Sequence, residues 1–364
     1  MYTFAKQQLI MLSKEYEVIA VSSPGKRLEQ IRDECGIRVI GVPMKRHVSL
    51  YSDVISLFRL IRVLNKEKPD VIHSMTPKAG LLSMLAGKIT GVPVRVHTFT
   101  GLVFPTSYGL KRKILMLTDK ITCACATYIN PEGFGVKKDL ERFNITKKPI
   151  CVIANGNVRG VDMKWYSRTE QVVLKAKDLR VEDKVTFCFI GRIVKDKGIN
   201  ELVWAFSQLN KEYNNTRLIL IGVLEDKLDP IKPEIYSEIM NNKSINYVGP
   251  QNDVRPWLAA SDIYVFPSYR EGMPNSLLEA GAMGLPSIVT NINGNNEIIV
   301  DGENGEIIPA RNQDALYNKM REWVNNKEKV SRMAGNARRM IGERYSQDIV
   351  LAETIKVYHE LIHN

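Results

Sequence analysis

Metal-box cysteines, acidic metal motifs and long apolar runs are all missing from this 364-residue chain. Its five cysteines (Cys35, Cys123, Cys125, Cys151, Cys188) form no CxxC pair and are odd in number. A zinc site or a disulfide framework is therefore not expected, and buried, reduced thiols in the cytoplasm are. No apolar stretch is as long as a membrane span. The opening Met1–Gln8 lacks a basic region followed by an apolar one, so no signal peptide is expected. No Asp-x-Asp occurs, which removes the usual acidic anchor for a divalent metal beside a diphosphate. Repeats and low-complexity segments are also lacking.

What is present is ordinary globular composition, 44% apolar and 25% charged, with a net charge of +11. That length allows two domains with real cores. The positive balance fits nucleic acid, an anionic membrane surface or phosphorylated substrates. The basic residues are scattered and carry no helix-turn-helix, finger or RNP pattern, so no nucleic-acid partner is expected. Gly109–Leu117 mixes basic and apolar residues. It suits either a membrane surface or an ordinary surface helix with one core face.

Short β-branched runs alternate with helical patterns along the whole chain. The first series of expected strands is 17–22, 37–42, 70–74, 92–98 and 150–153. The second is 185–190, 217–221, 245–248, 262–266 and 287–290. Helices are expected at 3–14, 50–66, 79–90, 199–212 and 275–282. Two such series imply two Rossmann-like, doubly wound α/β domains, whose ligands gather beyond the carboxyl ends of the strands. The expected division is 1–156, 157–342 and a terminal helix from 343 to 364. The turn-rich join is Ala154–Asp162.

The run Glu271-Gly272-Met273-Pro274-Asn275-Ser276-Leu277-Leu278-Glu279 carries the most chemistry. Gly272 lets backbone approach a ligand. Pro274 suits the first turn of a helix, and Asn275 or Ser276 can cap one. A helix start attracts phosphate. Glu279, about one turn in, can accept hydrogen bonds from the paired hydroxyls of a ribose, and Glu271 from those of a second sugar. A bare E-x7-E would be no more than a capped helix with solvated acids. The glycine, proline and cap residues between them favour the ligand. After the strand 185–190 comes Gly191-Arg192-Ile193-Val194-Lys195-Asp196-Lys197-Gly198. Gly191 permits the turn, Arg192 offers a fork for phosphate oxygens, and Lys197 adds a point charge. Lys195 reads as a solvated neighbour.

These two segments resemble the nucleotide-sugar signature of retaining glycosyltransferases of family 4, which have the GT-B fold, and the resemblance covers nearly the whole chain. It implies that Arg192 and Lys197 bind the donor diphosphate and that Glu271 orients the sugar. It also implies that the 191–198 and 271–279 segments make up the donor site without a cofactor or metal. His97 matches a family histidine near the donor sugar. His73-Ser74-Met75-Thr76-Pro77-Lys78-Ala79-Gly80 is similar to a run in transferases of bacterial surface-polysaccharide pathways. That places His73, Lys78 and Gly101 on the acceptor side, although Lys78 equally suits simple exposure at a helix start. For Phe104 and Tyr108, core packing is favoured over a sugar or lipid contact. Asn291–Glu297 shares only Gly294 and Glu297 with the family pattern and receives no role. The implied reaction moves a sugar from a nucleotide sugar, UDP-linked by frequency, to a polyprenyl-diphosphate-linked saccharide at the inner face of the plasma membrane. A nucleotide-sugar 2-epimerase and an inactive, binding-only relative are the alternatives. Family members begin one strand earlier, so the first sheet is expected to lack a central strand, and the terminal helix is expected to return to the first domain.

Overall fold

A computed structural model of the chain describes residues 2–45, 49–225, 227 and 229–363, with only the backbone of residues 2–5 and 50. It divides into two compact units. One runs to Gly160 and resumes at Gln347; the other is Val161–Ser346. The first division falls inside the expected join. The second lies a few residues beyond 343, because the helix Lys327–Tyr345 carries the second unit that far.

The second unit holds β6 (Val185–Ile190), β7 (Thr216–Ile221), β8 (Ile245–Gly249), β9 (Ile263–Phe266), β10 (Ser287–Thr290) and β11 (Gly305–Ile308). All pair in parallel, in the order β11-β10-β9-β6-β7-β8. The central strands are buried on both faces, as their unbroken apolar runs require. Phe187, Phe189, Phe206, Tyr264, Phe266 and Trp323 are sealed in one continuous core. Phe189 and Tyr264 each stack on Phe266, at 5.8 and 6.0 Å. The chain winds outward from β6 to β8, then returns to lay β9 on the other side of β6. The order therefore reverses between β6 and β9.

The first unit holds β1 (Ile19–Ser22), β2 (Arg38–Gly41), β3 (Val71–Ser74), β4 (Val94–Phe99) and β5 (Tyr128–Pro131). β1 pairs with β2, and β3-β4-β5 form a separate parallel ladder. Among the described residues no ladder joins β1 to β3. The apolar interior is divided as well, into three clusters. The middle cluster takes Val21 and Ile40 from one ladder and Ile72 from the other. The helices Leu50–Glu67 and Pro77–Ile89 thus hold the two ladders from one side. The terminal helix Gln347–His363 belongs to this unit, as expected, and its Tyr358 hydroxyl lies 2.6 Å from His73 Nδ1.

Three local expectations need correction. Residues 150–153 form no strand: Ile150 makes one isolated bridge to Ile129, and the left-handed Ala154, Gly156 and Asn157 turn the chain away. The edge strands β5 and β11 were not expected, since one ends in Pro131 and the other begins at Gly305. The cysteines are all free, but only Cys123, Cys125 and Cys188 are buried; Cys151 faces out, one position past buried Ile150. Burial pushes the Cys123 and Cys188 thiols up to about 12, which leaves both inert at neutral pH.

Candidate active site

In the second unit the two motifs meet where the strand order reverses. Arg192–Lys197 follows β6, and Ser268–Glu271 follows β9, its neighbour. Such a switch point opens a crevice beyond the strand ends, because the loops there leave in opposite directions. The two loops are locked together. Lys197 Nζ pairs with Glu271 Oε1, and Asp196 Oδ2 accepts from Arg270 Nε at 3.0 Å. The Tyr269 amide donates to the Asp196 carbonyl at 2.9 Å. Gly198 (φ 71°) makes this approach possible, since a Cβ there would stand 2.1 Å from the Pro267 carbonyl oxygen.

Each acidic and basic group is held in place. Glu271 also accepts from Ser268 Oγ at 2.7 Å, and the Lys197 ammonium stands 5.4 Å from the centre of the Phe266 ring. The Arg192 guanidinium pairs with Glu225 at 2.8 Å but remains 43% exposed. An ion pair so open is worth only ~0–1 kcal/mol, so a diphosphate can displace it at little cost.

The helix Asn275–Ala282 occurs at the residues expected. Pro274 occupies the cap position, where its carbonyl accepts from the Leu277 and Leu278 amides at 3.2 and 3.3 Å. No cap side chain bonds back, so the expected capping by Asn275 or Ser276 does not occur. Glu279 lies one turn in and is largely buried. Tyr264 ties this helix to the end of β6: its hydroxyl donates to the Ile190 carbonyl at 3.2 Å and hydrogen-bonds Ser276. Burial raises its pKa well above the usual value, with the nearby Glu279 charge acting the same way, so Tyr264 stays a neutral donor. Gly191, Arg192 and Lys197 are thereby joined to Glu271–Glu279 within one unit.

Several residues of the site went unread in the sequence. Glu225, Asp196, Arg270 and Tyr264 act through partners 33 to 74 positions away or through the fold, and no local pattern marks them. Gly294, given no role, has φ 78° and presses on Gly272, where a Cβ would stand 2.3 Å from the carbonyl oxygen. Glu297 accepts from the Gly294 amide at 3.1 Å. The Asn291–Glu297 run therefore braces the Gly272 loop from behind.

The acceptor-side candidates lie in the first unit. His97 is only 2% exposed, within β4 and not at its end. Its Nδ1 is 2.8 Å from Ser74 Oγ, Phe99 packs edge-on against it, and Gly80 lies directly under its ring. Burial, then the neighbouring His73, lower its pKa to about 3. That enclosure makes it a packed neutral histidine. His73 is engaged at both nitrogens, by Tyr358 and by Thr98 Oγ1 at 2.7 Å, and burial lowers its pKa to about 4. Lys78 pairs with Asp53 at 2.6 Å. Gly101 follows β4 with φ 115°. Phe104 is core, edge-on to Phe143, whereas Tyr108 is 77% exposed, against expectation. Among the described residues no group of three His, Cys, Asp or Glu could hold a metal ion.

Comparison with known proteins bears on both units. Residues 172–340 match the family model described as Glycosyl transferases group 1, and residues 11–156 match that described as Glycosyl transferase 4-like domain. Over 350 residues the chain is 32% identical to CapM, a capsular polysaccharide biosynthesis glycosyltransferase of Staphylococcus aureus, covering 96% of this chain and 91% of that one. It is 30% identical over 321 residues to an Escherichia coli UDP-Gal:alpha-D-GlcNAc-diphosphoundecaprenol alpha-1,3-galactosyltransferase, covering 85% and 80%. The solved structure of Anabaena HepE with UDP-glucose matches with a TM-score of 0.80 over 97% of this chain and 96% of that one, at 18% identity, a likeness of fold. With two Rossmann-like domains of the GT-B type, this chain belongs to the group 1, family 4-like glycosyltransferases and is a transferase enzyme.

Proposed function

We propose that the enzyme moves a sugar from a UDP-sugar to a polyprenyl-diphosphate-linked saccharide, in surface or capsular polysaccharide assembly, with retention at the anomeric carbon and without a metal. The observation that supports this reading is the contact of Lys197 with Glu271 at the switch point, with Arg192 on the same loop as Lys197. At such a site cations can meet the phosphates, and a carboxylate the hydroxyls, of one ligand. Arg192 and Lys197 neutralise the diphosphate as its charge develops, where preorganised donors act most strongly. The start of the helix Asn275–Ala282 adds its dipole. Glu271 orients the sugar and Glu279 the ribose. Among the described residues no side chain is placed as an obvious nucleophile, and the leaving phosphate takes the proton of the acceptor hydroxyl on the same face of the sugar. The acceptor class is supported by the lipid-linked substrate that the E. coli relative's name carries.

Incubation with UDP-sugars and an undecaprenyl-diphosphate monosaccharide tests the reading. Product should form with the donor's anomeric configuration by NMR and should persist in excess chelator. Inverted product, loss of turnover with chelator, or turnover of the donor with no acceptor present would each contradict it.

A further inference from the structure

The turns that follow β6 and β7 lie against one another. The Gly191 amide donates to the Ile221 carbonyl at 2.9 Å, and Gly222 approaches Gly191 so closely that no Cβ would fit there. The contact continues along both turns. The Ile193 amide donates to the Val223 carbonyl at 2.9 Å, Ile193 and Leu224 form a parallel bridge, and the Leu224 amide donates to the Tyr247 hydroxyl at 3.3 Å. Asp229 adds a second tie: its carboxylate accepts from the Asp196 amide at 2.7 Å, and its carbonyl from the Lys195 amide at 3.2 Å. The backbone leading into Glu225 is thus fixed against the loop that carries Arg192.

From there Glu225 reaches the guanidinium, with Oε2 at 2.8 Å from Arg192 Nη1. The carboxylate is the more enclosed partner, 20% exposed against 43%. On the same loop Lys197 pairs with Glu271 and Asp196 with Arg270, both from the loop after β9, whereas Glu225 comes from the opposite side. A carboxylate so placed opposes a diphosphate in two ways. It occupies a guanidinium N–H that phosphate oxygens would take, and its charge repels theirs. Orienting Arg192 alone would not require that charge, since an amide oxygen accepts the same hydrogen bond.

We propose that Glu225 is a built-in counterion that competes with the diphosphate for Arg192, and so limits how tightly the spent nucleoside diphosphate is held after transfer. This role rests on the donor reading above, in which Arg192 grips that diphosphate. An ion pair this open exchanges partners readily. The guanidinium passes from Glu225 to the phosphates as the donor enters, and returns to Glu225 as the product leaves.

Calorimetric titration of UDP into the full chain, Glu225→Gln, Arg192→Ala and the double variant tests it. Glu225→Gln should bind UDP about three- to tenfold more tightly than the parent. A damaged fold would weaken UDP binding, not tighten it. In the Arg192→Ala background the same substitution should gain less, because the group competed for is gone. Uridine, which carries no phosphate, should bind the parent and Glu225→Gln alike. Unchanged or weaker UDP binding by Glu225→Gln, with Arg192→Ala still weakened, would overturn the proposal and leave the donor site standing. An equal gain in the Arg192→Ala background, or for uridine, would also overturn it. UDP binding unaffected by Arg192→Ala would overturn both the proposal and the donor reading.

Discussion

The second unit carries one unbroken six-stranded sheet and a single core, whereas the first carries two ladders and three clusters. A donor site needs fixed geometry, because catalysis by preorganised charge is lost when groups drift. On the proposed reading, the half that meets a lipid-linked acceptor is freer to be divided. The difference between the halves is then one of tasks, and three measurements can break it or sharpen it.

The largest effect should fall on transfer. Lys197→Ala or Arg192→Ala should lower kcat/KM by about 10²–10³-fold, the usual cost of one charge-stabilising donor. Lys78→Ala, in the first unit, should leave UDP affinity unchanged. Steady-state kinetics and calorimetry check both, and equal losses would erase the division of labour.

Acid should separate the halves next. All five histidines lie outside Val161–Ser346. His73 and His97 are held neutral with pKa values lowered to about 4 and about 3 from 6.5. Their contribution is complete above pH 6.5 and is lost as the unfolded state takes up protons below it, ~2 kcal/mol each between pH 7 and 5. Asp119 works the other way: with a pKa raised to about 7 from 3.8, it gains protons in the folded state and returns ~2 kcal/mol over the same range. The first unit should therefore lose ~2 kcal/mol on acidification to pH 5, and Asp119→Asn should roughly double that loss. In the second unit the lowered carboxylates Asp253, Glu306 and Glu322 matter only as pH falls below about 4 to 4.5. Hydrogen exchange read unit by unit checks the order, and simultaneous opening would refute it.

Smallest is Tyr358→Phe, which removes the hydroxyl at His73 Nδ1 and should cost the first unit ~1 kcal/mol in chemical denaturation.

Much of the second unit was legible because its strands are apolar on both faces: Val185–Ile190 and Ser287–Thr290 occur at the residues expected, as do the helices Ile199–Glu212 and Asn275–Ala282. Edge strands such as Gly305–Ile308 carry half that signal and were missed. The segments 191–198 and 271–279, which the structure brings together, stood out because their residue types recur at short spacing. The ion pairs that hold them, Asp196 with Arg270 and Arg192 with Glu225, depend on which strands become neighbours, a fact of topology. The burial of His97 was not legible, because Ser74 and Gly80, which enclose it together with Phe99 of its own strand, come from two other segments.

The central claim is that the β6 and β9 loops grip a nucleoside diphosphate between Lys197, Arg192 and Glu279. Calorimetric titration of UDP into the full chain and into Lys197→Ala and Glu279→Gln tests it most directly. Each variant should bind about tenfold or more weakly than the parent. Unchanged affinity in both, with the fold intact, would contradict it.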